Sequence, residues 1–295
     1  MKTCINALSA NLNFLRRLFL ISILIFSSQM VMAEEVTPVR FGILSIAQPS
    51  RIFTKWQPFA NYMSEQLGRP VELVVPRGFG KMQKTIDSGD VDFFYINSHV
   101  FYRLKQEGKA VGVAQMENIT GRTTSSSKLF VKSDSGINSI ADLKGKKIAY
   151  VSPMGAGGYL APRAHLYDSG LKGETETVEV FTKNLSNSIH GVLLGDYDVG
   201  SMCGVNYELM SVKINTGELK IIAVSDDYPE NVVGARIDLP AKQMQAFQSA
   251  LLGMGNNTEG MALLKGMRSM KIKNFVPYDD SMENITKKML EASNL

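Results

Sequence analysis

Between residues 39 and 107 the chain alternates short β-rich runs with amphipathic ones, and this alternation restricts the fold more than any other feature. "VRFGILSI" (39–46) is rich in strand formers. In "KWQPFANYMSEQLG" the apolar residues Phe59, Met63 and Leu67 recur every four positions and Gly68 stops the run, the pattern of an amphipathic helix. "PVELVV" predicts a second strand, and "FGKMQKTIDSG", closing on Gly89, a second helix; "VDFFYI" and "SHVFYRLKQEG" repeat the pair. Strands that alternate with helices need crossover connections, so the segment predicts a parallel α/β sheet.

A second series follows. "KLFVKSDSG" predicts a strand running into a turn, Ile140 to Leu143 a short helix, and Lys147 to Val151 a strand. After a helix ending near Gly170 come the strand "ETVEVF", the helix "SNSIHGVLLGD" and the strands "YDVGSMCG" and "LKIIAVSD". The last seventy residues or so predict mostly helix, clearest in "PAKQMQAFQSALLGM" and "SMENITKKMLEASNL". Two short α/β units in one chain suggest a bilobal binding protein that closes on its ligand about a hinge.

The region before the first strand reads differently. Arg16 and Arg17 precede the apolar run "LFLISILIF", and Val31 and Ala33 form a small-residue cleavage pattern. Together they predict a secretory signal over residues 1–33, cleaved after Ala33, and an exported mature chain. The apolar run falls short of the ~20 residues that span a bilayer; an uncleaved anchor is the competing reading. Without Lys2, Arg16 and Arg17 the formal net charge falls from +4 to +1, leaving no excess positive charge for nucleic acid or an anionic membrane. Cys4 leaves with the segment, so Cys203 stands alone, and neither an intramolecular disulfide nor a cysteine-rich zinc site is expected.

The residues offer little for catalysis. His99, His165 and His190 have no metal-ligand spacing, and neither G-x-S-x-G nor H-E-x-x-H occurs. Ser125 and Lys128 form an S-x-x-K, but "TSSSKLFV" reads as the polar approach to a strand. No enzyme activity, cofactor or metal is expected. "VSPMGAGGYLAP" (151–162) is the one segment that points to a site. A glycine loop between strand and helix either serves as a tight turn or aims bare N–H groups at an anion. Pro162 fits the first turn of the following helix. If the loop holds a ligand, a β-branched residue at Gly157 should block it and leave the fold intact.

The sequence resembles the periplasmic phosphate/phosphite/phosphonate-binding proteins of ABC transporters. "FGILSIAQPSRIFTKWQPFANYMSEQLGRPVELVV", "GDVDFFYINSHVFY", "SDSGINSIADLKGKKIAYVSPMGAGGYLAP" and "GDYDVGSMCG" carry the resemblance in order along most of the mature chain. It implies an α/β, two-lobed periplasmic binding protein type II fold with a hinge and a central ligand cleft. Lobe 1 would comprise residues 34–128 plus 223–295, and lobe 2 residues 129–222. The ligand would be a small, anionic molecule held by Tyr95, Asn97, Ser98, Ser152, Gly155, Ala156, Gly157, Gly158 and Asn184. The protein would work as a monomer with an inner-membrane ABC permease; a sensor presenting its solute to a membrane receptor kinase is the alternative.

The departures from the family pattern concern the ligand. Where the family commonly writes Asp-Pro-x-Ser-Thr-Ser-Gly, this chain has Ser152 to Gly158 without the three hydroxyls. Asn184, Leu185 and Ser186 replace a Ser-His-Asp stretch, and Asn97 and Ser98 stand where Gly-Pro is usual. Three lost hydrogen bonds to a charged group are worth at least about 4 kcal/mol, roughly a thousandfold in affinity. Simple alkylphosphonates are therefore expected to bind weakly, and Met154, Ala156 and Leu185 to favour a larger or less charged solute.

Overall fold

In the computed structural model, which describes residues 37–44 and 49–295, the first β-rich run forms β1 (Val39–Ile43) and the amphipathic run after it α1 (Pro49–Leu67). The expected signal segment and its cleavage point lie outside the described residues. β2 (Val71–Val74), α2 (Phe79–Asp87), β3 (Phe93–Ile96) and α3 (Ser98–Gln106) follow as the alternation predicts. β1 lies between β2 and β3, parallel to both.

The rest of this sheet departs from expectation. β4 (Ala110–Asn118) and two strands of the tail, β12 (Val232–Arg236) and β13 (Ile272–Pro277), complete a mixed sheet in the order β13-β4-β12-β3-β1-β2. β12 runs antiparallel to both β3 and β4, and β13 antiparallel to β4. The tail is thus not mostly helix: its α8 (Ala241–Leu252), α9 (Thr258–Met267) and α10 (Glu283–Ala292) are interleaved with strands. β12 hides its pattern because Val232 to Ala235 are all buried, as befits a strand inside a sheet covered on both faces.

The second sheet has the order β10-β6-β9-β7-β8, with β6 (Ser127–Lys132), β7 (Lys147–Tyr150), β8 (Val178–Phe181), β9 (Val199–Cys203) and β10 (Leu219–Val224). β7 is parallel to β8 and β9, whereas β6 is antiparallel to β9 and β10. Its helices are α4 (Ala161–Asp168), α5 (Gly173–Glu176), α6 (Leu185–Leu194) and α7 (Gly204–Ser211). The chain passes between the sheets through a short antiparallel ribbon, β5 (Thr124–Ser125) against β11 (Tyr228–Pro229). The last helix, α10, packs on both α3 and α4. Lys105 of α3 pairs with Asp280 and Glu283 at its start, and Met289 and Leu290 cover Ala161 and Ala164.

The core of the first lobe is aromatic. Phe41, Phe59, Phe93 and Phe247 are fully buried, and the rings of Phe93 and Phe247 stack with centroids 3.8 Å apart and planes 10° from parallel. This stack fixes α8 to the middle of the sheet. Replacing Phe247 by Ala leaves a ring-sized void and should lower stability by about 3–5 kcal/mol. Urea unfolding monitored by circular dichroism will show it as a lower midpoint at unchanged slope.

Candidate functional site

Ligands of open α/β sheets bind beyond the carboxyl ends of the strands. In the second sheet the parallel neighbours β7 and β9 end side by side; the glycine loop follows the first, and Cys203 and α7 close the second. A cavity of about 480 Å³ opens there, a volume typical of small-molecule sites. Trp56, Tyr95, Asn97 and Met116 wall it from the first lobe; Ser152, residues 155–158, Cys203 and Asn206 wall it from the second.

The glycine loop is built to leave donors open. Gly155 N donates to Ser152 O at 3.0 Å, and Met154 N to Ser152 Oγ at 3.3 Å. One π turn, Ala156–Leu160, then leads into α4, with Leu160 N donating to Gly155 O at 3.0 Å. The N–H groups of Ala156, Gly157 and Gly158 have no acceptor among the described residues. Single π turns recur at functional sites. Gly157 is also a packing necessity: a Cβ there would lie 2.0 Å from Tyr228 Oη, and its carbonyl accepts from Ser127 Oγ at 2.5 Å. A side chain at 157 would therefore strike the ribbon before it reached a ligand, which corrects the expectation that Gly157→Val leaves the fold intact.

Seven of the nine expected site residues line the cavity: Tyr95, Asn97, Ser152, Gly155, Ala156, Gly157 and Gly158. Tyr95 packs against Trp56 with ring centroids 4.9 Å apart and planes tilted by 50°, and its hydroxyl meets Met116 Sδ at 2.8 Å. Burial holds its phenol well above the ordinary value, with the Glu230 carboxylate adding to the effect. Asn97 Oδ1 caps α3 by accepting from Val100 N, while its Nδ2 donates across the cleft to Met154 O at 3.1 Å. The structure does not bring Ser98 and Asn184 to the cavity wall. Ser98 is buried and its hydroxyl donates to Pro229 O at 2.8 Å; Asn184 is exposed and caps α6 through Ser186 N. Both sit at helix starts, where short polar side chains are wanted for capping and packing as much as for ligands.

Several residues of the cavity carry no motif. Glu230 enters it from the ribbon, its carboxylate accepting from Asn118 Nδ2 at 3.0 Å and from the Ser125 hydroxyl. Ser125 is thus bound to Glu230, and Lys128 to Glu208, so the S-x-x-K is no nucleophile pair. Lys271 enters from the start of β13 in a left-handed backbone conformation, φ 69°, and its ammonium donates to Asn206 Oδ1 of the opposite lobe. Burial lowers its pKa, with Cys203 and Glu230 opposing. A positive φ at a lysine after a short helical turn was the one signal that could have found it, and φ is not written in sequence.

His99 stands directly behind the loop. It is fully buried on α3, its Nε2 accepts from Arg103 Nε at 3.0 Å, and so its proton sits on Nδ1. Burial, with the Arg103 charge adding and the Gly155 backbone opposing, pulls its pKa down to about 4.

Two α/β lobes, a paired strand crossing and a cleft over the strand ends define a type II periplasmic binding protein. Residues 41–282 match the family described as ABC transporter, phosphonate, periplasmic substrate-binding protein, and the chain belongs to it. Over 139 residues it is 29% identical to the tetrathionate sensor histidine kinase TtrS of Salmonella typhimurium, a match covering 46% of this chain and 24% of the kinase. Among solved structures, XAC2383 from Xanthomonas citri bound to chloride superposes with a TM-score of 0.78 at 18% identity, over 87% of this chain and 99% of that one. PhnD1 from Prochlorococcus marinus in complex with methylphosphonate superposes with a TM-score of 0.74 at 16% identity, over 87% and 98%.

Two expected outcomes follow from this packing. Gly157→Ala should destabilise the free protein by about 1–3 kcal/mol through overpacking, and the double variant with Tyr228→Ala should lose less stability than the two single losses added together. Thermal melts of the single and double variants measure it. For His99, the unfolded chain binds more protons than the folded one between pH 6.5 and about 4, so stability is full above 6.5 and lost as pH falls through that window. The loss is on the order of 3 kcal/mol, and His99→Gln, which keeps an acceptor for Arg103, should show a shallower fall in Tm from pH 7 to 4.5.

Proposed function

We propose that this protein is the solute-binding component of an ABC transporter, exported with cleavage after Ala33 and acting as a periplasmic monomer that hands a small anionic solute to an inner-membrane permease. The cavity between the lobes, with the bare N–H groups of residues 156–158 in its wall, is the observation that carries this reading. Backbone donors at a helix start suit an oxyanion. Tyr95, Asn97 and Ser152 would complete its contacts, and Trp56 and Met116 would cover its body. Lobes 34–128 plus 223–295 and 129–222 would close on it about the β5–β11 ribbon.

The partial identity to a tetrathionate sensor kinase supports a second reading, in which the protein presents its solute to a membrane receptor. A thermal-shift screen of phosphate, phosphite, methylphosphonate, aminoethylphosphonate, alkanesulfonates and tetrathionate tests the shared premise. At least one oxyanion should raise Tm, and small-angle scattering at saturation should show a smaller radius of gyration; an unchanged profile counts against closure. Deleting the gene then separates the roles. Lost uptake of that solute supports transport, while intact uptake with a lost transcriptional response supports sensing.

A further inference from the structure

We infer that Lys271 is the charge-selecting residue of the cleft: its ammonium exchanges Asn206 for an oxygen of the ligand, and the ligand is therefore a fully charged oxyanion. This rests on the solute-binding reading above and names the residue that sets the ligand's charge.

Lys271 belongs to the first lobe and Asn206 to the second, so their bond crosses the cleft. Asn206 lies on α7, just past the end of β9, and the glycine loop just past the end of β7. Adjacent strands are about 4.8 Å apart, so an anion over these two strand ends reaches both sets of donors. Among the described residues no carboxylate lies within ion-pair distance of Lys271, and the neutral Asn206 amide is the hydrogen-bond partner of its ammonium. The nearest acid, Glu230, has its carboxylate engaged by Asn118 and Ser125. A half-buried ammonium with a neutral partner gains most from a negative ligand.

The backbone supports the same assignment. Lys271 follows the helical turn Arg268–Met270 at φ 69°, a position where glycine is the residue without strain. A lysine held there aims its side chain into the cavity at a cost to the fold, the pattern of residues kept for function. It also supplies the positive charge that the hydroxyl-free loop lacks, reversing the expectation of a less charged solute.

The test uses Lys271→Gly, Lys271→Arg and the wild type, with calorimetry of phosphate, methylphosphonate, ethanesulfonate and tetrathionate. Lys271→Gly relieves the backbone, so its ligand-free Tm should match or exceed the wild type while affinity for the best-binding anion falls roughly ten- to a hundredfold. Lys271→Arg should retain binding. The groups facing Lys271 are Cys203 from β9, Glu230 from the ribbon and Asn206 from α7. In a Cys203→Ser background, which removes the neighbouring thiol, affinity should weaken from pH 8 to 10 with Lys271 and stay level with Arg. If the wild type binds an anion and Lys271→Gly binds it equally, or the pH profile is level with lysine, the assignment falls and the solute-binding reading stands. If no probe binds the wild type, both fall.

Discussion

Everything in this molecule depends on how its chain passes twice between two sheets. Both passages run through the four residues of the β5–β11 ribbon, and Glu230 fastens them to the first lobe. Its carboxylate takes Asn118 and Ser125, and its carbonyl takes Gln115 Nε2 at 2.8 Å. A buried carboxylate without such partners would cost several kcal/mol, so the network is an all-or-none arrangement. Tyr228, the neighbour on the ribbon, seats against Gly157 and so ties the same hinge to the floor of the cleft. Hinge, floor and sheet therefore share one set of contacts.

The last helix constrains motion from behind. Because α10 packs on a helix of each lobe, closure that keeps Met289 and Leu290 buried has to pivot close to it. Arg163, buried and paired with Glu179, also reaches the carbonyl of Ser293 at 3.3 Å.

The sequence was most legible where each element shows water on one face. α1 carries a clear apolar stripe, with Phe59, Met63 and Leu67 four residues apart, and that spacing alone predicts it as a helix. β4 and β12 show no alternating pattern because they lie inside the mixed sheet, where burial on both faces erases it. β13 was lost in a stretch whose neighbours are helical. The glycine loop was legible because strand, glycine run and helix stand in sequence order. The charged part of the cleft was not, since Lys271, Glu230 and Asn206 come from three distant segments and meet only through the crossing. Ser98 and Asn184 illustrate the converse: motif position put them in the cleft, but capping and packing needs had already taken their polar atoms.

Asn97 uses both ends of its amide, one to begin α3 and one to hold Met154 of the other lobe. Its successor is a small serine, which does little to shield the amide carbon. Conversion of Asn97 to aspartate by slow deamidation would leave the helix cap satisfied and replace the donor facing Met154 by an acceptor. An aged sample would then keep its secondary structure and lose one of the bonds that hold the lobes together. The chemical history of a preparation, as well as its sequence, thus bears on how far the cleft stands open.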